Sequence, residues 1–332
     1  MSDQPAAQPA TPAEAHPQRL EHFPISFFAI VMGLMGLTLA LHATEMRFQS
    51  GHAASEAMLA FASAVLLAIA AFYLLKTGRY WHAVVGEWRH PVRIAFFPAM
   101  SISLLLLATA LMAPLPELAH AFWLAGVAVQ AVLTLSVIAN WIGHRPFQPI
   151  HLSPAWFIPA VGNIIVPVAG VRLGYVEISW LFFSAGLMFW IVLLTLVMNR
   201  LIFHDPLPGR LVPTLVILIA PPAVAFLAWL QLNGGALDPF ARVLINAAYV
   251  FAALVVTQLG KFRTIPFALS WWALTFPVAA LALASYRFGA LANSAFHANL
   301  GTALTALLAV IVVYLVVRTL KAMRAGEVCV PE

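Results

Sequence analysis

The polar side chains within the long apolar stretches of this chain are all uncharged. They are Ser101, Ser103, Gln130, Asn163, Thr195, Thr214, Asn246, Gln258, Ser270 and Thr275. Neutral amides and hydroxyls can hydrogen-bond between membrane helices or contact a permeating species. A membrane enzyme would instead need several titratable groups at one depth, and the sequence offers no such set. We therefore predict no catalytic residues and no enzyme activity.

Asn163, in the sequence PAVGNIIVP, is the most informative of these residues. Pro167 has no N–H to donate, so it removes the usual helical partner of the Asn163 carbonyl. A helix bent at this point could offer both an amide side chain and a freed carbonyl to a permeating species. The alternative is a hydrogen bond between helices, worth about 1 kcal/mol in a membrane, and Asn163 taken alone favours that alternative.

The ionisable side chains lie in the tails or near the ends of the apolar stretches. The acidic residues between stretches are Glu45, Glu56, Glu87, Glu117, Glu177, Asp205 and Asp238. Proton-coupled carriers and cation channels usually need a carboxylate within the membrane, and none is a candidate here. The histidines near the interfaces show no two- or three-ligand metal spacing, so we predict no metal site and no cofactor. A phosphate-binding G-x-x-x-x-G-K-[ST] loop is also absent from the sequence, which excludes an ATP-driven pump formed by this chain alone.

These residues must be positioned by membrane helices. The chain is 63% hydrophobic and 9% charged, and its apolar runs are continuous, unlike the alternating strands of a membrane β-barrel. Ten segments can be counted, at about 23–44, 54–76, 93–114, 118–142, 152–171, 178–202, 211–232, 238–259, 265–288 and 296–319. We predict an all-α integral membrane protein with one ten-helix domain over 23–319. A disordered cytoplasmic tail over 1–22 would precede it, and a short cytoplasmic tail over 320–332 would follow.

The distribution of basic residues predicts the orientation of this domain. Thirteen of the seventeen lysine and arginine residues fall on the side of the two tails, and only Arg47, Arg172, Arg242 and Arg287 fall on the other side. The positive-inside rule therefore places both termini in the cytoplasm. The positive charge is explained by topology, so we predict a lipid bilayer and no nucleic acid as the surroundings of this protein.

The prolines that interrupt these segments fall in odd-numbered ones. They are Pro24, Pro98, Pro154, Pro159, Pro167, Pro213, Pro221, Pro222, Pro266 and Pro277. This alternation predicts five helical hairpins, each made of one irregular and one regular helix. Since backbone groups freed by proline need protein or water in a membrane, the kinked odd helices should surround a central pore and the even helices should face lipid.

Several motifs together resemble the tellurite-resistance/dicarboxylate transporter family, which includes the plant guard-cell slow anion channels. They are FPISFFAIVMG in the first segment, HPVRIAFFPA at the third, AVGN in the fifth, LVPTLVILIAPPAVAFLAW in the seventh and FALSWWALTFP in the ninth. Each motif is weak alone, whereas their order and spacing are specific. The similarity extends from Phe23 to about Arg318.

The resemblance implies a homotrimer in which each protomer has its own pore, closed by a phenylalanine of the ninth helix. The matching residue is Phe276, with Leu274 as the fallback if the register differs. Pore-lining or kink candidates are Pro98, Asn163, Pro167, Pro221, Pro222, Thr275 and Pro277. Basic residues that could attract anions at the cytoplasmic mouth are Arg93, Arg210, Lys261 and Arg263.

The expected function is a passive channel for small anions in a bacterial inner membrane, with Phe276 as the gate. The alternative is a secondary transporter of a C4-dicarboxylate, sulfite or tellurite, coupled to a proton gradient. Members of the family have been assigned both roles, and the lack of an intramembrane acid favours the channel.

Overall fold

The computed structural model describes residues 19–143 and 147–330, and in these ranges the chain is helical, without β-strands. Nine helices in the described ranges are long and apolar enough to cross a membrane, and the shorter apolar segment Pro154–Gly170 is a tenth. The protein is therefore an all-α integral membrane protein, as predicted. Residues 1–18 of the predicted N-terminal tail lie outside the described residues, and the last helix continues beyond the predicted boundary at 319.

Eleven α-helices are labelled in chain order. They are α1 Phe28–Phe48, α2 Ala53–Arg79, α3 Trp81–Arg89, α4 Ala99–Leu111, α5 Pro116–Ile142, α6 Phe157–Gly170, α7 Val176–Phe203, α8 Ala220–Leu232, α9 Pro239–Thr257, α10 Thr275–Leu291 and α11 Ala295–Arg324. Helix α3 is short and was not expected from the sequence. We call α1, α4, α6, α8 and α10 the inner helices, and α2, α5, α7, α9 and α11 the outer helices.

Burial separates the two sets. In four of the five spans that contain inner helices, 67–89% of the most apolar stretch is buried, compared with 22–33% in the five outer helices. In the remaining inner helix, α6, all but one residue is buried. Outer helices with so much exposed apolar surface are suited to contact with lipid. The alternation of prolines had predicted this position for them.

The inner helices form a closed ring. In order around the ring, α1 packs against α4, α4 against α6, α6 against α8, α8 against α10, and α10 against α1. Each outer helix packs on the inner helix of its own hairpin and also touches the next inner helix: α2 reaches α4, α5 reaches α6, α7 reaches α8, α9 reaches α10, and α11 returns to α1. Ten helices thus make a two-layered ring of five hairpins.

Every inner helix is preceded by a 3₁₀-helical segment. These segments are Ile25–Phe27, Arg93–Phe96, Pro154–Trp156, Gly209–Ile219 and Leu269–Leu274. Pro277, one of the kink candidates, does not bend a continuous α-helix, because α10 begins at Thr275 and Pro277 lies in its first turn. A proline there removes no α-helical hydrogen bond, since first-turn N–H groups have no partner within the helix. Within the described ranges, Pro167 alone lies beyond the first turn of an α-helix.

Two prolines also occur in outer helices, contrary to a strict odd–even rule. Pro116 begins α5 and Pro239 begins α9. Both occupy the first helical position, which proline tolerates and which its fixed φ favours. The outer helices therefore remain regular, and the alternation holds for prolines beyond the first position.

Helices α1 and α10 approach closely at two glycines. A methyl group on Gly33 would lie 2.2 Å from Oγ1 of Thr275, and one on Gly36 would lie 2.8 Å from Cβ of Ala279. These glycines let the first and last inner helices meet without a side chain between them. The close approach fixes the depth of α10 relative to α1.

A buried ion pair holds α3 against the first hairpin. Oε2 of Glu87 lies 2.8 Å from Nζ of Lys76, and both side chains are almost fully buried. Glu87 also accepts hydrogen bonds from the Tyr73 hydroxyl and from the backbone N–H of Ile25, while Lys76 donates to the Phe23 carbonyl. We call these five residues the N-terminal clasp. Glu87 lies between two spans, as predicted, but the prediction did not anticipate its burial.

Candidate functional site

A cavity of about 50 Å³ lies at the centre of the ring. All five inner spans contribute to it. The lining residues are Ser26, Ala29 and Met32 from the first span, Phe96 and Ile102 from the second, Phe157, Ile158, Val161, Gly162 and Ile165 from the third, Ile217 and Ala220 from the fourth, and Leu269, Ser270, Trp272, Ala273, Phe276 and Pro277 from the fifth. The cavity is therefore the space that a pore through the protomer would use.

The lining is almost entirely apolar. Its only hydroxyl groups are those of Ser26 and Ser270, and no ionisable side chain is among the lining residues. The indole N–H of Trp272 donates to the Thr319 hydroxyl at 2.9 Å. The Oγ atom of Ser270 is buried and has no hydrogen-bond partner within the described ranges. A buried hydroxyl without a partner is unfavourable, so this group is free to bond with water or a polar species that enters the cavity.

The cavity lies at the N-terminal ends of all five inner helices. Residues from the first four positions of each helix line it: Ala29 in α1, Ile102 in α4, Phe157 in α6, Ala220 in α8 and Phe276 in α10. Each helix dipole is equivalent to about half a positive charge at its N-terminus. Five such ends around one apolar space should make the potential there positive without any basic side chain in the lining, and a positive potential would favour anions.

Phe276 is half-buried and belongs to the cavity wall together with Pro277. Its ring packs towards α1, where a methyl group on Gly36 would lie 3.8 Å from Cδ2 of the phenylalanine. Leu274 is not a lining residue. Thr275 is fully buried and donates a hydrogen bond to the Trp272 carbonyl at 2.7 Å, so its hydroxyl is engaged within the span. Of the two gate candidates, the structure brings only Phe276 to the cavity.

Asn163 points away from the cavity and towards α5. Its Oδ1 accepts a hydrogen bond from Thr134 at 3.2 Å and lies 3.5 Å from Nε2 of Gln130, and its Nδ2 donates to the Ala160 carbonyl at 2.9 Å. This is the interhelical arrangement that the sequence left open as the alternative. Asn163 joins an inner helix to an outer one.

The remaining proline candidates support the wall without lining it. Pro98, Pro167, Pro221 and Pro222 are buried, and none belongs to the cavity lining. Pro98 precedes α4, and its carbonyl accepts a hydrogen bond from the Ser101 hydroxyl at 2.9 Å. Pro221 and Pro222 lie in the first turn of α8, directly after the lining residue Ala220.

The four basic mouth candidates lie in 3₁₀ segments, outside the cavity lining. Arg93 and Arg210 lie in the segments that precede α4 and α8, and Lys261 and Arg263 lie in the segment Leu259–Thr264 after α9. Lys261 lines a separate groove of about 330 Å³ between α7, α9 and the segment before α8. These cations are therefore placed at the end of the ring where the inner spans begin.

Sequence reasoning missed most of the lining. Met32, Ile158 and Ile217 are ordinary apolar residues of apolar helices, and only the packing of the ring distinguishes them from their neighbours. A usable signal existed in position, because the lining residues cluster at the breaks between 3₁₀ and α-helical structure. A proline lies within about four residues of each of these breaks: Pro24, Pro98, Pro154, Pro221 and Pro277.

The sequence was compared with known proteins. Residues 22–320 match the family described as SLAC1, voltage-dependent anion channel. The chain is 29% identical to the S-type anion channel SLAH3 of Arabidopsis thaliana over 91% of this chain and 48% of the plant protein. It is 26% identical to the guard cell S-type anion channel SLAC1 of the same plant, over 81% of this chain and 50% of that protein.

A bacterial relative is covered more completely. The tellurite resistance protein TehA homolog of Haemophilus influenzae is 26% identical over 80% of this chain and 81% of its own length. This chain spans about half the length of the plant relatives that it matches. Since the family match extends over all ten spans, the chain belongs to the SLAC1 family, as its motifs had indicated.

Proposed function

We propose that this protein conducts small anions passively through the centre of the inner ring, and that Phe276 closes the path. The observation that carries the proposal is the position of Phe276 in the wall of the central cavity, at the N-terminal ends of five helices. Membership of a family described as voltage-dependent anion channels supports it.

The physical chemistry of the cavity is consistent with a closed state. A space of about 50 Å³ holds only a few water molecules, so an anion would have to lose most of its hydration shell to enter. Transfer of an unpaired ion into apolar surroundings is highly unfavourable. Movement or removal of the Phe276 ring would widen the path and admit water, after which the five helix ends would favour an anion over a cation.

Passive conduction is favoured over proton-coupled transport by the lining itself. None of the residues that line the cavity titrates, so the path offers no group that could take up and release a proton during transport. If the protein were instead a coupled carrier, an uncoupler would abolish accumulation of the anion against its gradient. In our proposal, flux runs only down the gradient and is insensitive to the uncoupler.

The decisive variant is Phe276→Ala. We expect anion flux into liposomes that contain the purified protein to rise about tenfold or more, because tenfold corresponds to only about 1.4 kcal/mol of barrier. Chloride, nitrate, sulfite and malate should each be measured, since the four anions differ in size and charge. A cation such as potassium should show a much smaller increase.

Two controls accompany this variant. Leu274→Ala changes a neighbour in the same span that does not line the cavity, and Phe61→Ala removes an exposed ring from α2. Both should leave the flux near the wild-type level. Unchanged flux through Phe276→Ala, with the protein present and folded in the membrane, would refute the gate, and an equal increase in both controls would attribute the effect to general loosening.

A further inference from the structure

We propose that His42, Glu45 and His52 form a binding site for a divalent transition-metal ion of the zinc type. The potential ligand atoms of these residues all lie within 4.8 Å of one another. The two imidazole rings have centroids 4.9 Å apart, and Nδ1 of His52 lies 3.9 Å from Oε2 of Glu45. The site lies where the first hairpin turns, and it shares no residue with the cavity.

Local structure explains why the three side chains meet. His42 and Glu45 are three residues apart on α1, which places them on one face of the helix. The chain then reverses through a tight turn in which Gln49 and Gly51 have positive φ angles of 52° and 81°. This turn brings His52 to the N-terminal end of α2, beside the helix face that carries the other two residues.

Glu45 is already held in position by one of its two oxygens. Oε1 accepts hydrogen bonds from the backbone N–H groups of Ala54 at 2.8 Å and Ser55 at 3.1 Å, so it caps α2. A carboxylate at a helix N-terminus is favourable both as an acceptor and through the helix dipole. The carboxylate therefore needs no reorganisation before it binds a metal ion.

The second oxygen of Glu45 lacks a partner. The side chain is only 9% exposed, and within the described ranges no donor bonds to Oε2. A buried carboxylate oxygen without a donor is costly. The groups nearest to Oε2 include the two imidazoles, whose nitrogen atoms are common metal ligands. A metal ion between these three groups would satisfy the oxygen.

The donor set selects the class of ion. Two imidazoles and one carboxylate suit zinc and neighbouring transition metals, whereas calcium and magnesium prefer oxygen ligands alone. Tetrahedral zinc with bonds of about 2.0–2.1 Å has ligand atoms roughly 3.3 Å apart, so the three groups must close by up to about 1.5 Å. His52 can make this movement, because its side chain is 45% exposed and it follows a short turn. Water would fill the fourth position.

The site is remote from the proposed path. His42 lies ten residues beyond Met32, the last residue of α1 in the cavity lining, which corresponds to about 15 Å along the helix. Metal binding can therefore be tested without any measurement of anion flux, and its outcome is independent of the proposed function.

The test is titration of the purified full chain with Zn²⁺ by calorimetry, after removal of any polyhistidine tag. We expect one Zn²⁺ per chain, an increase in thermal stability on binding, and no competition from excess Mg²⁺ or Ca²⁺. Substitution of Co²⁺ should give the visible absorption of a tetrahedral site. Absence of stoichiometric binding to the wild-type chain would overturn the proposal.

Three variants locate the ion. Glu45→Gln retains a carbonyl oxygen for the N–H groups of Ala54 and Ser55, so the cap of α2 survives while the anionic ligand is lost. His52→Ala removes a partly exposed ring that the core does not need. Each should weaken Zn²⁺ binding by about tenfold or more. His82→Ala, an exposed histidine of α3, should bind as the wild type does. Equal affinity in all of these proteins would also overturn the proposal.

Discussion

At the scale of single residues, small side chains set the geometry around Phe276 as much as large ones do. Gly33 and Gly36 allow α1 to lie directly against α10, and the Thr275 hydroxyl fits in the space that a methyl group on Gly33 would occupy. Thr275 is held there by its hydrogen bond to the Trp272 carbonyl. The backbone that carries the Phe276 ring therefore has little freedom to shift.

Gly33→Ala should destabilise the protein by about 1–3 kcal/mol, the usual range for overpacking a tight contact. The added methyl group would lie 2.2 Å from Oγ1 of Thr275, so α1 and α10 must separate or the hydroxyl must leave its partner. Thermal unfolding in detergent would measure the loss as a lower Tm.

Gly78→Ala is the matched control for this change. Gly78 is exposed near the end of α2, and a methyl group there would have no neighbour within 4 Å. We expect an unchanged or slightly higher Tm, because alanine favours helix over glycine. If both variants had the same Tm as the wild type, the α1–α10 contact would be looser than described.

At the scale of elements, the sequence predicted the ten crossings and their division into inner and outer helices. The lengths of the apolar runs and the positions of the prolines are local properties of the sequence, so both can be identified without knowledge of tertiary contacts. The 3₁₀ segments before the inner helices were not predicted, because their form depends on packing in the ring. For the same reason Pro277 was assigned to a bend, whereas it lies in a first turn.

The candidate site was predictable only in part. Phe276 was identified through a family motif, not through its own chemistry, since the chain has 23 phenylalanines. Asn163 was singled out because it is polar and next to a proline break, yet its partners Gln130 and Thr134 belong to another helix. The cluster of His42, Glu45 and His52 was not anticipated, because His52 joins the other two residues only after the chain reverses.

The N-terminal clasp predicts that the stability of the protein depends strongly on the charge pair Lys76–Glu87. Lys76→Met should destabilise the protein by about 3–5 kcal/mol, since it leaves Glu87 buried without its counter-charge. Adding Glu87→Gln to that variant should recover part of the loss, because the unpaired charge is then gone. Denaturation in detergent would measure the free energies of unfolding of both single variants and the double variant.

Arg79→Met serves as the control for the clasp. Arg79 is exposed at the same end of α2, so removing its charge should change the stability by only a few tenths of a kcal/mol. Strictly additive losses for Lys76→Met and Glu87→Gln would contradict the coupling that we infer between the two charges.

At the scale of the whole molecule, the ring of inner helices is complete within one chain. Contacts between α10 and α1, and between α11 and α1, close it without help from another protomer. A path through this ring therefore belongs to one protomer, and any assembly of copies would multiply the paths without forming them.

We predict a homotrimer, on the basis of the family resemblance. Native mass spectrometry of the detergent-solubilised protein should give three times the 36.0 kDa of one chain, with bound lipid or detergent added. Because each proposed path lies within a chain, covalently joined trimers with one Phe276→Ala protomer should show about a third of the extra flux of the full variant. A monomeric mass in mild detergent and in lipid nanodiscs would contradict the prediction.

The closure of the ring also bears on how the protein is made. Helices α1 and α8 both pack against α10, which belongs to the ninth span to leave the ribosome. Until that span is inserted, the ring would be open between α1 and α8, and the glycine face of α1 would lack the helix that covers it. The open side of the ring must therefore be shielded through most of synthesis, and the ring closes only when the last hairpin packs between α1 and α8.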